Sequence, residues 1–272
     1  MLLSLLKTSA ISVGGKISSA VKSKKLRVDE NLPLGLRIGG MVEFCKIKPR
    51  ILASEFTFNC ETSEEGKYDY LSMQGTFPES MREVIAYSKR INDGFCYYKF
   101  YLSDEAGFLE IVTENDVIIE DGIKFFSLSD EIIPDSLDEM DYWIPSPETS
   151  QTEDSNWWIG NQFFQLPEQE LDDDGIWTDY GYSRFWSPGD QIIEPIIIKE
   201  DIIIDSFGET VQNITHDCMM YGRRSANYVG EDDFPDNAAV EWAFVTAVTV
   251  NQSISIEVFV GYNLTESDMT IY

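Results

Sequence analysis

The first 28 residues contain no acid, and residues 125 to 183 contain no lysine or arginine. There is one histidine, His216, and the four cysteines (Cys45, Cys60, Cys96 and Cys218) form no CxxC pair. These shortages exclude several classes of function. One imidazole and scattered thiols cannot build a finger-like zinc site, and neither a metal nor another cofactor is expected. A net charge of −28 argues against reading nucleic-acid phosphates. The N-terminal segment has no long apolar run, so it does not read as a membrane span. Its positive charge follows the apolar part, which makes a poor secretion signal. A reduced, cytoplasmic protein is expected, and the Asn-x-Ser/Thr matches at Asn213, Asn251 and Asn263 are then chance.

What is present is folded protein. The 272 residues are 43% hydrophobic and 13% aromatic, enough for one large or two small domains without staples. Arg82 to Asn115 organises the chain as consecutive antiparallel strands. Asn92-Asp93-Gly94 is a hairpin turn, and a two-residue Asp93-Gly94 loop sets Ile91 against Cys96, Tyr87 against Phe100 and Ile85 against Leu102. One face is then oily (Ile85, Tyr87, Ile91, Cys96, Tyr98, Phe100, Leu102). The other (Val84, Ala86, Ser88, Arg90, Tyr97, Lys99, Tyr101) reads as solvated.

Further strands are expected at Phe108–Thr113, Val117–Ile119, Ile123–Leu128 and Val211–Tyr221, with a last hairpin from 241 to 262. The isoleucine runs 196–198 and 202–204 read as buried strands separated by Lys199-Glu200-Asp201, charged gatekeepers against aggregation. Helix is confined to the N-terminus and to short pieces near Ser136–Met140 and Thr265–Met269.

The N-terminal arm carries Lys7, Lys16, Lys22, Lys24, Lys25 and Arg27. That is +6, leaving 14 bases against 48 acids, or −34, for the remainder. Leu2, Leu5, Leu6, Val13 and Ile17 fall near one helical face, so the arm is a candidate amphipathic helix. It would lie on anionic lipid or dock into a partner's groove, and the alternative is a loose terminus.

From 125 to 183 the chain has 15 acids and four tryptophans. Trp143, Trp157, Trp158 and Trp177 with Asp172 and Asp174 form a candidate surface for a polyamine-like cation, through charge pairing and indole faces. The competing interpretation makes the tryptophans core and the acids solvated loops. Asp172-Asp173-Asp174-Gly175 lacks the alternation of a calcium loop and reads as a solvated turn. Arg184, Arg223 and Arg224, embedded among aromatics, are expected to form structural ion pairs or an anion pocket. His216 and Cys218 would share one side of a strand, but no third residue can be assigned to orient the imidazole, so no catalytic residue is proposed.

Four segments carry a family resemblance: Leu32-Pro33-Leu34-Gly35-Leu36-Arg37-Ile38-Gly39-Gly40, Phe100 to Leu109, Tyr182-Ser183-Arg184-Phe185-Trp186 and Ser255 to Gly261. Together they resemble an uncharacterised bacterial family, YjfK-like, known only as a domain of unknown function. No activity or catalytic residue comes with that resemblance. Members tend to be encoded near phage-shock-type membrane-remodelling proteins and glutathionylspermidine-synthase-like enzymes. The resemblance thus implies an accessory or adaptor protein of an envelope-stress system, without enzymatic activity, working through a protein partner or peripheral contact with the inner membrane.

The expected architecture is mainly β, a β-rich α+β chain of antiparallel meanders in two lobes. Residues 1–28 are the basic arm, 29–133 the first lobe, 134–156 an acidic connection and 157–272 a second lobe packed on the first.

Overall fold

The computed structural model describes residues 26–44, 58–61, 68–71, 78, 80–104, 107–136, 139–140, 143–144, 159–164, 182–189, 192–224, 240–250 and 253–272. Among the described residues fourteen strands follow in chain order. The first seven are β1 (Met41–Glu43), β2 (Phe58–Glu61), β3 (Tyr68–Leu71), β4 (Arg82–Asn92), β5 (Phe95–Leu102), β6 (Gly107–Glu114) and β7 (Val117–Ile132). The others are β8 (Phe163–Phe164), β9 (Tyr182–Arg184), β10 (Ile196–Ile203), β11 (Val211–Arg224), β12 (Val240–Val250), β13 (Ser253–Leu264) and β14 (Thr270–Ile271).

Eight of them close on themselves. The order β4-β5-β6-β7-β13-β12-β11 is completed by β10, which pairs with both β11 and β4. The result is a closed antiparallel barrel, and closure removes the sheet edges that an open meander would expose. Four barrel strands come from each of the expected segments 29–133 and 157–272, so both halves share one cylinder. Joining β10 to β11 takes eight register pairs, whereas only Ile202–Ser88 and Ile203–Tyr87 join it to β4.

Both barrel faces are buried, and this corrects the solvated face expected for the first hairpin. The outward side of β4–β7 carries Tyr87, Tyr98, Phe100, Leu109, Ile111 and Phe125 under a flap that includes Leu36, Val42, Phe44 and Met269. Arg27 anchors the start of that flap. Its guanidinium donates to the buried carboxylate of Asp29, which also accepts from the Ile38 amide at 2.9 Å. The outward side of β11–β13 carries Met219, Tyr221, Val245, Val258 and Val260 beneath Trp143, Ile159, Phe164 and Tyr182. The inward side holds Ala86, Tyr101, Phe108, Phe126, Ile202, Ile214, Cys218, Phe244, Val248 and Phe259. Ser88, Arg90, Tyr97 and Lys99 face that lumen, not solvent.

Three local departures shape the lumen. Ile91 opposes Cys96 and Tyr87 opposes Phe100 as expected, but a bulge at Ile85 brings Val84, not Ile85, opposite Leu102. The two strands expected at Val117–Ile119 and Ile123–Leu128 are one continuous strand with an excursion between them. Ile111 pairs with Ile123 and Thr113 with Ile118, so 119–122 loop out of the ladder, with Asp121 at φ 55°. Likewise the two isoleucine runs are one strand, β10, in which Ile198, Glu200 and Ile202 are buried and Ile197 is 65% exposed. A strand's two-residue period turns Glu200 inward with the isoleucines, so it is not a gatekeeper.

Helix among the described residues is limited to short pieces. One lies at 139–140, where the Met140 amide donates to the Ser136 carbonyl, and another is the 3₁₀ turn Glu266–Asp268 with a capping box from Thr265. Of the arm at 1–28 expected to form an amphipathic helix, residues 1–25 lie outside the described residues and 26–28 are not helical.

Candidate functional site

A cavity of about 320 Å³ occupies one end of the lumen. Its outer part is lined by Phe95 beside the β4–β5 turn, by Ile119, Glu120 and Asp121 of the β7 excursion, and by Phe185 and Trp186. The wall is Arg90, Tyr97, Glu110, Val112, Lys124, Ile198, Met220, Trp242 and Phe244, and the floor is Ser88, Lys99 and Glu200.

Phe185 and Trp186 follow β9, where both amides turn toward the Met220 carbonyl. Phe185 packs edge-on against Trp242 with ring centres 4.7 Å apart, and Trp186 stands 6.2 Å from Phe244. Arg184 fixes this corner from behind. It is buried and donates to three main-chain carbonyls: Gly160, Ser187 at 3.0 Å and Gly189 at 2.8 Å. A planar guanidinium suits several acceptors at once. Among the described residues these carbonyls are its hydrogen-bond partners.

Glu200 is the hub of the floor. Its carboxylate accepts from the Ser88 and Tyr101 hydroxyls, and lies 3.1 Å from Lys99 Nζ and 3.1 Å from His216 Nε2. On its other side, His216 Nδ1 meets Thr246 Oγ1 at 3.0 Å. The Lys99 ammonium also sits over the Phe108 and Phe244 rings, at 5.1 and 4.9 Å from their centres. Burial alone would raise the Glu200 carboxyl. The nearby Lys99 charge and the contacts from His216 and Ser88 outweigh it and hold the group well below the usual carboxylate range. Tyr101 moves the opposite way, raised by burial and by the Glu200 charge beside it.

This arrangement is poor at proton transfer, because a carboxylate held ionised by four partners is a weak base at neutral pH. Nor is it a thiol site. His216 and Cys218 share the lumen side as expected, yet the Cys218 thiol donates to the Ile196 carbonyl at 3.2 Å, and burial pushes it up to about 12. The third residue that orients the imidazole is Glu200, and it ties His216 into the floor. Among the described residues no cluster of three or more His, Cys, Asp or Glu could hold a metal ion.

The outer wall differs from the floor. Among the described residues, Arg90 has no carboxylate within ion-pair distance, and its guanidinium lies 4.7 Å from the Tyr97 ring centre. Lys124 donates to the Asp121 carbonyl at 3.0 Å and stands 6.0 Å from the Trp242 ring. Glu110 occupies the register between the two lysines, opposite Lys99 on β5 and Lys124 on β7.

Of the residues singled out in the sequence, Trp143 is 5% exposed and packs in the outer cluster over β11–β13. Arg223 and Arg224 end β11, and their side chains lie outside the description. Leu2, Leu5, Leu6, Lys7, Val13, Lys16, Ile17, Lys22, Lys24, Lys25, Trp157, Trp158, Asp172, Asp174 and Trp177 also lie outside the described residues. The lumen residues Arg90, Lys99, Glu110, Lys124 and Glu200 were not singled out. Their signal was present, since each polar position alternates with apolar ones on a strand flanked by aromatics. A single strand cannot say whether such a face meets water or closes on other strands.

Fold and cavity together define the class: an antiparallel β-barrel with a charged, aromatic lumen. The chain belongs to the family described as protein of unknown function (DUF2491), whose model matches residues 16–270. No curated protein and no solved structure matches it.

Proposed function

We propose that this chain is a binding protein whose barrel lumen accepts a small organic ligand through the end formed by the β4–β5 turn and the β7 excursion. One observation carries this reading. A cavity of about 320 Å³, walled by Trp186, Trp242 and Phe244, stands over a floor whose carboxylate, Glu200, is already hydrogen-bonded and ion-paired. That volume lies at the lower end of the range for small-molecule sites, and apolar walls with a few placed polar groups are what such sites share. The floor supplies stability, and the wall supplies recognition.

Titration with the neutral fluorophore N-phenyl-1-naphthylamine tests this. Saturable one-to-one binding with energy transfer from tryptophan is expected, and it should be lost in Val112→Trp, which fills the cavity. Binding that is absent, or unchanged in that variant, would overturn the reading.

A second reading concerns residues 1–28 and rests on their charge of +6 against −34 for the rest. In it the protein is an envelope-stress accessory whose arm meets an anionic membrane or a membrane-associated partner, weakly and in a salt-dependent way. Sedimentation with anionic liposomes should show binding by the full chain and none by a chain starting at residue 29. Equal binding by both removes this reading. The rival for the acidic window is a polyamine-like cation, which calorimetry with spermidine would detect as saturable heat.

A further inference from the structure

We infer that the ligand of the lumen is an organic acid, a single anionic head on an apolar body, with Arg90 as the residue that receives the head. This rests on the lumen being the binding site.

The argument begins with what Arg90 lacks. The chain has 48 acids to 20 bases, so a half-buried arginine has abundant potential partners. Even so, among the described residues no carboxylate lies within ion-pair distance of Arg90, and its guanidinium rests on Tyr97 inside the cavity. Four carboxylates line the same cavity. Glu200 is taken up by Lys99, His216, Ser88 and Tyr101. Glu110 lies in register between Lys99 and Lys124 on the adjacent strands. Glu120 is exposed, and Asp121 presents its carbonyl to Lys124.

The cavity lining holds three cations (Arg90, Lys99, Lys124) and four carboxylates (Glu110, Glu120, Asp121, Glu200), yet among the described residues none of these carboxylates is at ion-pair distance from Arg90. An anionic head would give the Arg90 guanidinium the ionic partner that the described residues do not supply. Arginine suits the task, because its forked donors match a carboxylate or sulfonate and its plane is already oriented by the tyrosine ring. Trp186, Trp242 and Phe244 would take the apolar body. The strongly negative exterior disfavours casual binding of anions, so an anion that does bind reports the lumen.

Two probes sharing one ring system test the inference: 1-anilinonaphthalene-8-sulfonate, which is anionic, and neutral N-phenyl-1-naphthylamine. The wild type should bind the anion at least about ten-fold more tightly, as a hydrogen bond to a charged group implies. Arg90→Gln should lose about ten-fold or more for the anion while binding the neutral probe within about two-fold. Arg90→Lys, keeping the charge, should fall between. Equal affinity for both probes in the wild type, or an anion preference that survives in Arg90→Gln, overturns the organic-acid assignment and leaves the lumen reading standing. Failure of both probes to bind overturns the lumen reading itself. Neutral-probe binding in each variant reports its folding.

Discussion

The two ends of the lumen use the same side-chain chemistry for opposite purposes. At the floor, Lys99 and Glu200 are 3.1 Å apart, the Ser88 and Tyr101 hydroxyls donate to that carboxylate, and His216 lies beside it with Nδ1 on Thr246. At the wall, Arg90 has an aromatic face beneath it and no carboxylate within ion-pair distance among the described residues. A buried charge is tolerated when its partners are supplied by the fold, and an unmatched one costs free energy unless a ligand or water supplies them. The floor is therefore structural and the wall is receptive. Chemical identity alone would not separate them.

That contrast can be broken in four ways, beginning with the largest effect. Glu200→Gln should cost about 3–5 kcal/mol, because it strands the Lys99 ammonium in the interior. Thermal denaturation should show this as a fall of roughly 6–20 °C in Tm. A loss under 1 kcal/mol would mean the network is not structural. Next, Gly261→Ala should cost about 1–3 kcal/mol by urea denaturation, since a Cβ there would meet Phe126 Cδ1 at 2.4 Å and the Phe125 carbonyl at 2.5 Å.

The third test is acid sensitivity. The folded Glu200 carboxyl lies below its ordinary 4.5, so its ionised form stabilises the fold fully above that value. The contribution drains away as pH falls below it. The stability gap between wild type and Glu200→Gln should be constant from pH 7 to about 5 and should shrink at lower pH. A gap that widens on acidification would contradict the depressed carboxyl. Smallest of all, Arg90→Gln should change stability by no more than about 1 kcal/mol, because what it removes is the stacking on Tyr97. A large loss would show that the wall, too, is structural.

Much of the barrel was legible in the sequence. The Asp93-Gly94 loop fixes the β4–β5 register because both residues visit positive φ (51° and 87°), and the pairings at Ile91 and Tyr87 follow from it. The alternation of Ile254, Ile256, Val258 and Val260 marks β13. Closure was not legible, and the error at the site follows from that. Ser255 and Glu257 on β13 alternate as a solvated face would, yet they are 0% and 1% exposed. Hydropathy along one strand records the polarity of a side chain and not what stands across from it. The contact of β10 with β4 spans more than a hundred residues of chain and leaves no local mark. Glu200 passed for a breaker for the same reason, since Ile-Lys-Glu-Asp-Ile reads as two strands until something faces its middle carboxylate.

The pairing of β10 gives the ring a clasp. One flank of that strand is held by eight rungs, and the other by two, reinforced by the Ser88 hydroxyl on Glu200. Transient breathing of the ring should begin at the clasp, with amides on the β4 side of β10 trading hydrogen for deuterium before those on the β11 side. The carboxylate that plugs the lumen also fastens the clasp, so replacing it should loosen the whole cylinder from one slit outward.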